Sequence, residues 1–120
     1  KLLHELGIDT AEGLLYTGDS AELYFDTLRD FVSSAAEKSE EMVRLYESEN
    51  WEDYRILVHS LKSVNKMIGA ADLSAQFKQM EDAGKAVDVD YIRSHHEELL
   101  DRFQVFVKKI NDALGGGPAA

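Results

Sequence analysis

The chain has 120 residues, with 23 Asp and Glu against 13 Lys and Arg, for a formal net charge of -10. Its 44% hydrophobic and 30% charged content suits one globular domain able to bury a core unaided, not a disordered tail. The acid excess opposes nucleic-acid or anionic-lipid binding as a main role, the lack of cysteine removes thiol catalysis, thiolate metal sites and disulfides, and no apolar run approaches a membrane span or signal-peptide core.

The single proline, Pro118, bars nothing before it from helix, and few short runs alternate Val, Ile and Thr, so the chain reads as all-α. Residues 8–15 read as one or two helical turns closed by Tyr16-Thr17-Gly18. Asp19 or Ser20 then caps a long helix, with Glu22 placed to reach back toward Asp19 as in a capping box. Leu28, Phe31, Val32 and Ala35 form its core stripe; a weak break falls at Ser33-Ser34, and Met42, Val43, Leu45 and Tyr46 carry it to about Ser48. Asn50 caps the next helix, from Trp51 to about Ile68, where Gly69 marks the end. Another runs from about Ala71 to Ala83, with Leu73, Phe77 and Met80 on one face, and stops at Gly84. Asp88 caps the last, from Val89 to Leu114, striped by Ile92, Leu99, Phe103, Phe106, Val107 and Ile110. Residues 115–120 read as a flexible tail or linker. The expectation is a single domain over residues 1–114, an antiparallel four-helix bundle with a short N-terminal extra helix.

The helix after Asn50 is the informative one. With His59 set at zero and about 100 degrees per residue, Tyr54, Leu57, Leu61, Val64 and Ile68 cluster between about 140 and 220 degrees, with Val58 near 260. They form the buried stripe, and Asn65 sits at its edge, near about 240 degrees, where it bonds within the bundle. His59 points the other way, accompanied by Arg55, Lys62, Ser63 and Lys66, with Ile56 and Met67 as an apolar rim. From Tyr54 to Ala71 there are three bases and no acid, in a chain of net charge -10. A solvated face ordinarily mixes signs. These bases favour a neutral, nucleophilic imidazole and stabilise negative charge on a phosphoryl group arriving at it, while the small Ser63 leaves room. The alternative on spacing alone is an exposed His among solubilising lysines.

The string His59-Ser60-Leu61-Lys62-Ser63, followed by Ile68-Gly69-Ala70-Ala71-Asp72-Leu73 and Met80-Glu81, resembles histidine-containing phosphotransfer (HPt) domains. Gly18-Asp19-Ser20-Ala21-Glu22-Leu23-Tyr24 with Phe31 is similar to the family's upstream segment, so the resemblance extends over nearly the whole chain. It implies a four-helix bundle passing phosphoryl groups between receiver domains of two-component phosphorelays. His59 is then the phospho-acceptor through Nε2, and Lys62 the lysine that neutralises the phosphoryl group. Ser63 stands where Gly is common, Gly69 and Ala70 match the tight interhelical junction, and Met80 replaces the usual Leu. Glu81 matches a Glu or Gln that in some members orients the imidazole. The partner surface comprises Ile56 and Met67 with Arg55, Lys66 and the other basic residues around His59.

The same resemblance implies no intrinsic cofactor, since the receiver brings the aspartyl phosphate and Mg²⁺. The sequence has no Gly-rich phosphate loop, and Ser60 stands where autokinase histidines are usually followed by an acid. His4-Glu5-Leu6 looks superficially like that kinase motif but lacks its continuation. A monomer in the cytoplasm is expected, either standing alone or as part of a hybrid kinase. A bundle used only for docking, with His59 never phosphorylated, is the main alternative; a metabolic phosphohistidine carrier or a kinase dimerisation module is the third. His95-His96-Glu97-Glu98 reads as solvated surface without a metal, because sequence neighbours on a helix point about 100 degrees apart. Trp51, Tyr54 and Phe103 read as core or bundle-end packing, and Tyr16 and Tyr24 as packing for the short N-terminal helix.

Overall fold

A computed structural model describes Ile8, Asp9, Gly18 and residues 20–114. Four helices, α1 (Ala21–Glu47), α2 (Trp51–Met67), α3 (Ala71–Lys85) and α4 (Val89–Ala113), follow one another. Three-residue turns join them, so neighbours run antiparallel, and α1 packs on α2 and α4 while α3 packs on the same two helices. There is no strand among the described residues. This is the expected four-helix bundle. The short extra helix falls almost entirely outside the described residues; Ile8 and Asp9, its first two positions, are not helical.

Capping chemistry sets most helix starts. Ser20 Oγ accepts from the Leu23 amide, Asn50 Oδ1 from Asp53, and Asp88 Oδ1 from Tyr91. With Ser20 as cap, Glu22 occupies the second helical position rather than the third that a capping box needs, and Asp19 lies outside the described residues. α1 does not break at Ser33-Ser34: both hydroxyls donate back to the carbonyls of Asp30 and Phe31, which leaves the helix continuous. The core stripes meet in edge-to-face aromatic contacts, with Phe103 between Phe31 and Phe77 at centroid distances of 5.7 and 5.6 Å.

Gly69, at φ 93°, turns the chain after α2. Its carbonyl accepts from the Asp9 amide at 2.8 Å, and a Cβ there would run into the Asp9 carbonyl, so Gly69 serves both the turn and a close crossing of the N-terminal segment. Tyr24 donates its hydroxyl to the Ile68 carbonyl at 2.9 Å and ties α1 to the end of α2; the N-terminal helix it was expected to pack against lies almost entirely outside the described residues.

Two further expectations fail. α3 does not stop at Gly84 but continues through it to Lys85, and the reversal into α4 is made by Val87 at φ 51°. His96 is not solvated surface: it is buried at 3% exposure, stacks on Tyr46 at 3.8 Å and pairs through Nδ1 with the Tyr54 hydroxyl at 2.7 Å. The physical reason is periodicity, since position 96 falls on the stripe of Ile92, Leu99 and Phe103. A buried tyrosine hydroxyl needs a partner, and the imidazole supplies it. Burial holds His96 down at about 4, so the ring is neutral near pH 7.

Candidate functional site

The most extensively packed pair of helices is α2 and α3, and small residues line their seam. At Gly84 an added Cβ would stand 3.0 Å from Arg55 Cβ, so the Arg55 stem crosses α3 where there is no side chain. Lower on the seam, the buried Ser74 donates its hydroxyl to the Lys62 carbonyl at 2.9 Å. This close approach sets Glu81 of α3 opposite His59 of α2.

His59 Nδ1 lies 2.6 Å from Glu81 Oε2. A carboxylate accepts and cannot donate when ionised, so Nδ1 carries a hydrogen, and in the neutral tautomer that places the lone pair on Nε2. The His59 side chain is 52% exposed while that of Glu81 is only 3% exposed. Lys62 Nζ donates to the other oxygen, Oε1, at 2.9 Å, and Lys85 Nζ stands 3.6 Å from Oε2. Burial pushes the Glu81 carboxyl up, but the hydrogen bonds from Lys62 and His59, with their charges, outweigh it and bring it down to about 2. Near neutral pH, an ionised carboxylate therefore braces the inner edge of an imidazole whose outer part reaches solvent.

The other expected site residues divide. Ile56 and Met67, at 51% and 40% exposure, form the apolar rim, and Ser63 and Lys66 are exposed on the same face. Arg55 is half-buried with its guanidinium bound to Glu52 at 2.7 Å, so it is already engaged within its own helix. Gly69 and Ala70 form the tight α2–α3 turn, the Ala70 amide donating to the Asn65 carbonyl at 2.8 Å. Asn65 is wholly buried; its Nδ2 donates to the Leu61 carbonyl, and among the described residues its Oδ1 has no hydrogen-bond partner. His95 stays exposed, with Nδ1 at 2.9 Å from the Tyr91 carbonyl and its ring stacked on Tyr91.

The acid-free face read from α2 needs one correction. Glu81 reaches into it from α3, so the field at the imidazole combines bases with one buried carboxylate. Sequence reasoning also missed Lys85, whose signal was its i+4 spacing from Glu81, and Gly84, whose role as a crossing point needs the partner helix to be seen.

Comparison with known proteins adds a family. The model of the Hpt domain matches residues 26–113, most of the chain, and spans His59, Lys62 and Glu81. Neither curated proteins nor solved structures give a match. Hpt domains perform histidine phosphotransfer in two-component systems and interact with receiver domains. A helical bundle with a solvent-facing imidazole braced on a buried glutamate, matched by that model over most of its length, belongs to the Hpt domain family.

Proposed function

We propose that this domain relays a phosphoryl group between His59 and the aspartate of receiver domains. The observation that carries the reading is the 2.6 Å contact of His59 Nδ1 with Glu81 on a half-exposed ring, which leaves the Nε2 lone pair for an incoming phosphorus. In the forward step Nε2 forms the P–N bond as the P–O bond to the receiver aspartate breaks, and the aspartate leaves as carboxylate. The Nδ1 hydrogen stays in place, so the phosphorylated ring is an imidazolium whose charge faces the Glu81 carboxylate. The reverse step regenerates the neutral ring. Glu81 thus acts on both directions, orienting the nucleophile and stabilising the cation that becomes the leaving group.

Lys62 holds Glu81 with one of its three N–H groups, and the other two remain to receive phosphoryl oxygens. Ser63 leaves the approach open, and Ile56 and Met67 with Lys66 offer an apolar and basic rim to the acidic, apolar-edged active site expected of a receiver. Arg55 contributes its charge at the edge of that rim while paired with Glu52. The transfer calls for no cofactor on this chain, with Mg²⁺ expected on the receiver, since such chemistry is mostly positioning and charge stabilisation. A monomer suits a face that must stay open. Among the described residues no helix is long and apolar enough to cross a membrane.

The test is transfer from a phosphorylated receiver to wild type and to His59→Gln. Acid-labile, alkali-stable label on wild type alone is expected, with the variant folded because the side chain is half-exposed. Label on both proteins, or on neither across a panel of receivers, contradicts the reading; the second outcome favours a docking module.

A further inference from the structure

The carboxylate of Glu81 faces two lysines that differ in how they are held. Lys62 is hydrogen-bonded to Oε1 at 2.9 Å and its side chain is 25% exposed. Lys85 stands 3.6 Å from Oε2, makes an ion pair without a hydrogen bond, and is 58% exposed. Oε2 also carries the 2.6 Å contact with His59 Nδ1, so it stays satisfied when Lys85 leaves. Removing Lys62 would strip a buried carboxylate of its direct ammonium partner, a costly change; releasing an exposed lysine from a long ion pair costs little. Of the two cations, only Lys85 is free to move.

It is also near enough to matter. Its ammonium is two contacts from the imidazole, through the oxygen that braces the ring. It sits in the last turn of α3, on a flexible stem with three donors. Arg55 is engaged with Glu52, and Lys66 lies about two helical turns along α2 from His59.

We propose that Lys85 is a second phosphoryl-contacting residue, parked on Glu81 in the resting domain and transferred to the phosphoryl oxygens as the P–Nε2 bond forms. The exchange balances charge. The new imidazolium takes over as counter-ion of Oε2 at the moment a dianionic phosphoryl group appears beside it, so the lysine's partner changes while its own charge stays paired. The inference rests on the reading of His59 as the phospho-acceptor.

Phosphoramidate tests it without a protein partner: its P–N bond breaks, the P–Nε2 bond forms and ammonia leaves, so docking plays no part. Phosphohistidine formation is followed in wild type, His59→Gln, Lys85→Met and Lys85→Arg, with folding checked by circular dichroism. Lys85→Met keeps the aliphatic stem and the helix. It is expected to slow phosphorylation about tenfold, the size of one lost charge contact in the transition state, with Lys85→Arg restoring most of the rate. A Lys85→Met rate within twofold of wild type, while wild type labels and His59→Gln does not, overturns the role of Lys85 and leaves the His59 reading intact. Failure of wild type to label, or equal labelling of His59→Gln, overturns the His59 reading itself.

Discussion

Glu81 keeps its negative charge inside the molecule because three nitrogen groups surround it: Lys62 and His59 by hydrogen bonds, and Lys85 by an ion pair. Its carboxyl is held at about 2, below its ordinary 4.5, so the unfolded chain takes up this proton first on acidification. Glu81 therefore stabilises the fold fully above about pH 4.5, and that contribution is lost as pH falls toward 2. His96 acts in a higher window. Its folded value of about 4 lies below the ordinary 6.5, so stability drops as pH falls from 6.5 to about 4, by up to about 3 kcal/mol. Urea midpoints across pH 7 to 2 are expected to fall in two stages. His96→Gln should flatten the upper stage and Glu81→Gln the lower one, and a profile unchanged in either variant would contradict the corresponding assignment. The two residues also differ in legibility. Glu81 could be marked from its place in the Met80-Glu81 pair, but its contacts depend on α3 being set against α2. His96 lay in a polar run, His95-His96-Glu97-Glu98, and residue type outweighed the fact that position 96 falls on the core stripe.

At the scale of elements, the starts and stops written in local chemistry were legible: Asn50 and Asp88 cap α2 and α4, and Gly69 closes α2. The end of α3 was not. Gly84 looked like a stop, yet it is a crossing point where the Arg55 stem passes, while Val87 takes the positive φ that usually falls to glycine. A side chain's absence has two physical uses, backbone freedom and close approach, and only the packed partner distinguishes them. Gly84→Val is expected to push α2 from α3, destabilise the bundle by about 1–3 kcal/mol through overpacking, and slow transfer by lengthening the His59–Glu81 contact. Thermal unfolding and phosphoramidate labelling would read the two effects. A variant as stable as wild type, with the same labelling rate, would remove Gly84 from the account of the site.

The whole molecule carries a net charge of -10, yet the stretch around one half-exposed imidazole, Tyr54 to Ala71, holds Arg55, Lys62 and Lys66 and no acid. Surplus acid elsewhere and bases around His59 give the domain a face whose charge would complement an acidic surface. That contrast, like the four-helix layout, was legible because it depends on composition and period alone. The exchange of cations within the site was not, because it depends on distances across a helix seam. The central claim is that Glu81 reserves Nδ1 and leaves Nε2 of His59 as the acceptor. Phosphorus–nitrogen coupling measured by NMR on ¹⁵N-labelled protein, after transfer from a phosphorylated receiver, tests it directly. The account predicts phosphorus on Nε2 of His59, with Nδ1 still protonated; phosphorus on Nδ1, or on His95 or another residue, would contradict it.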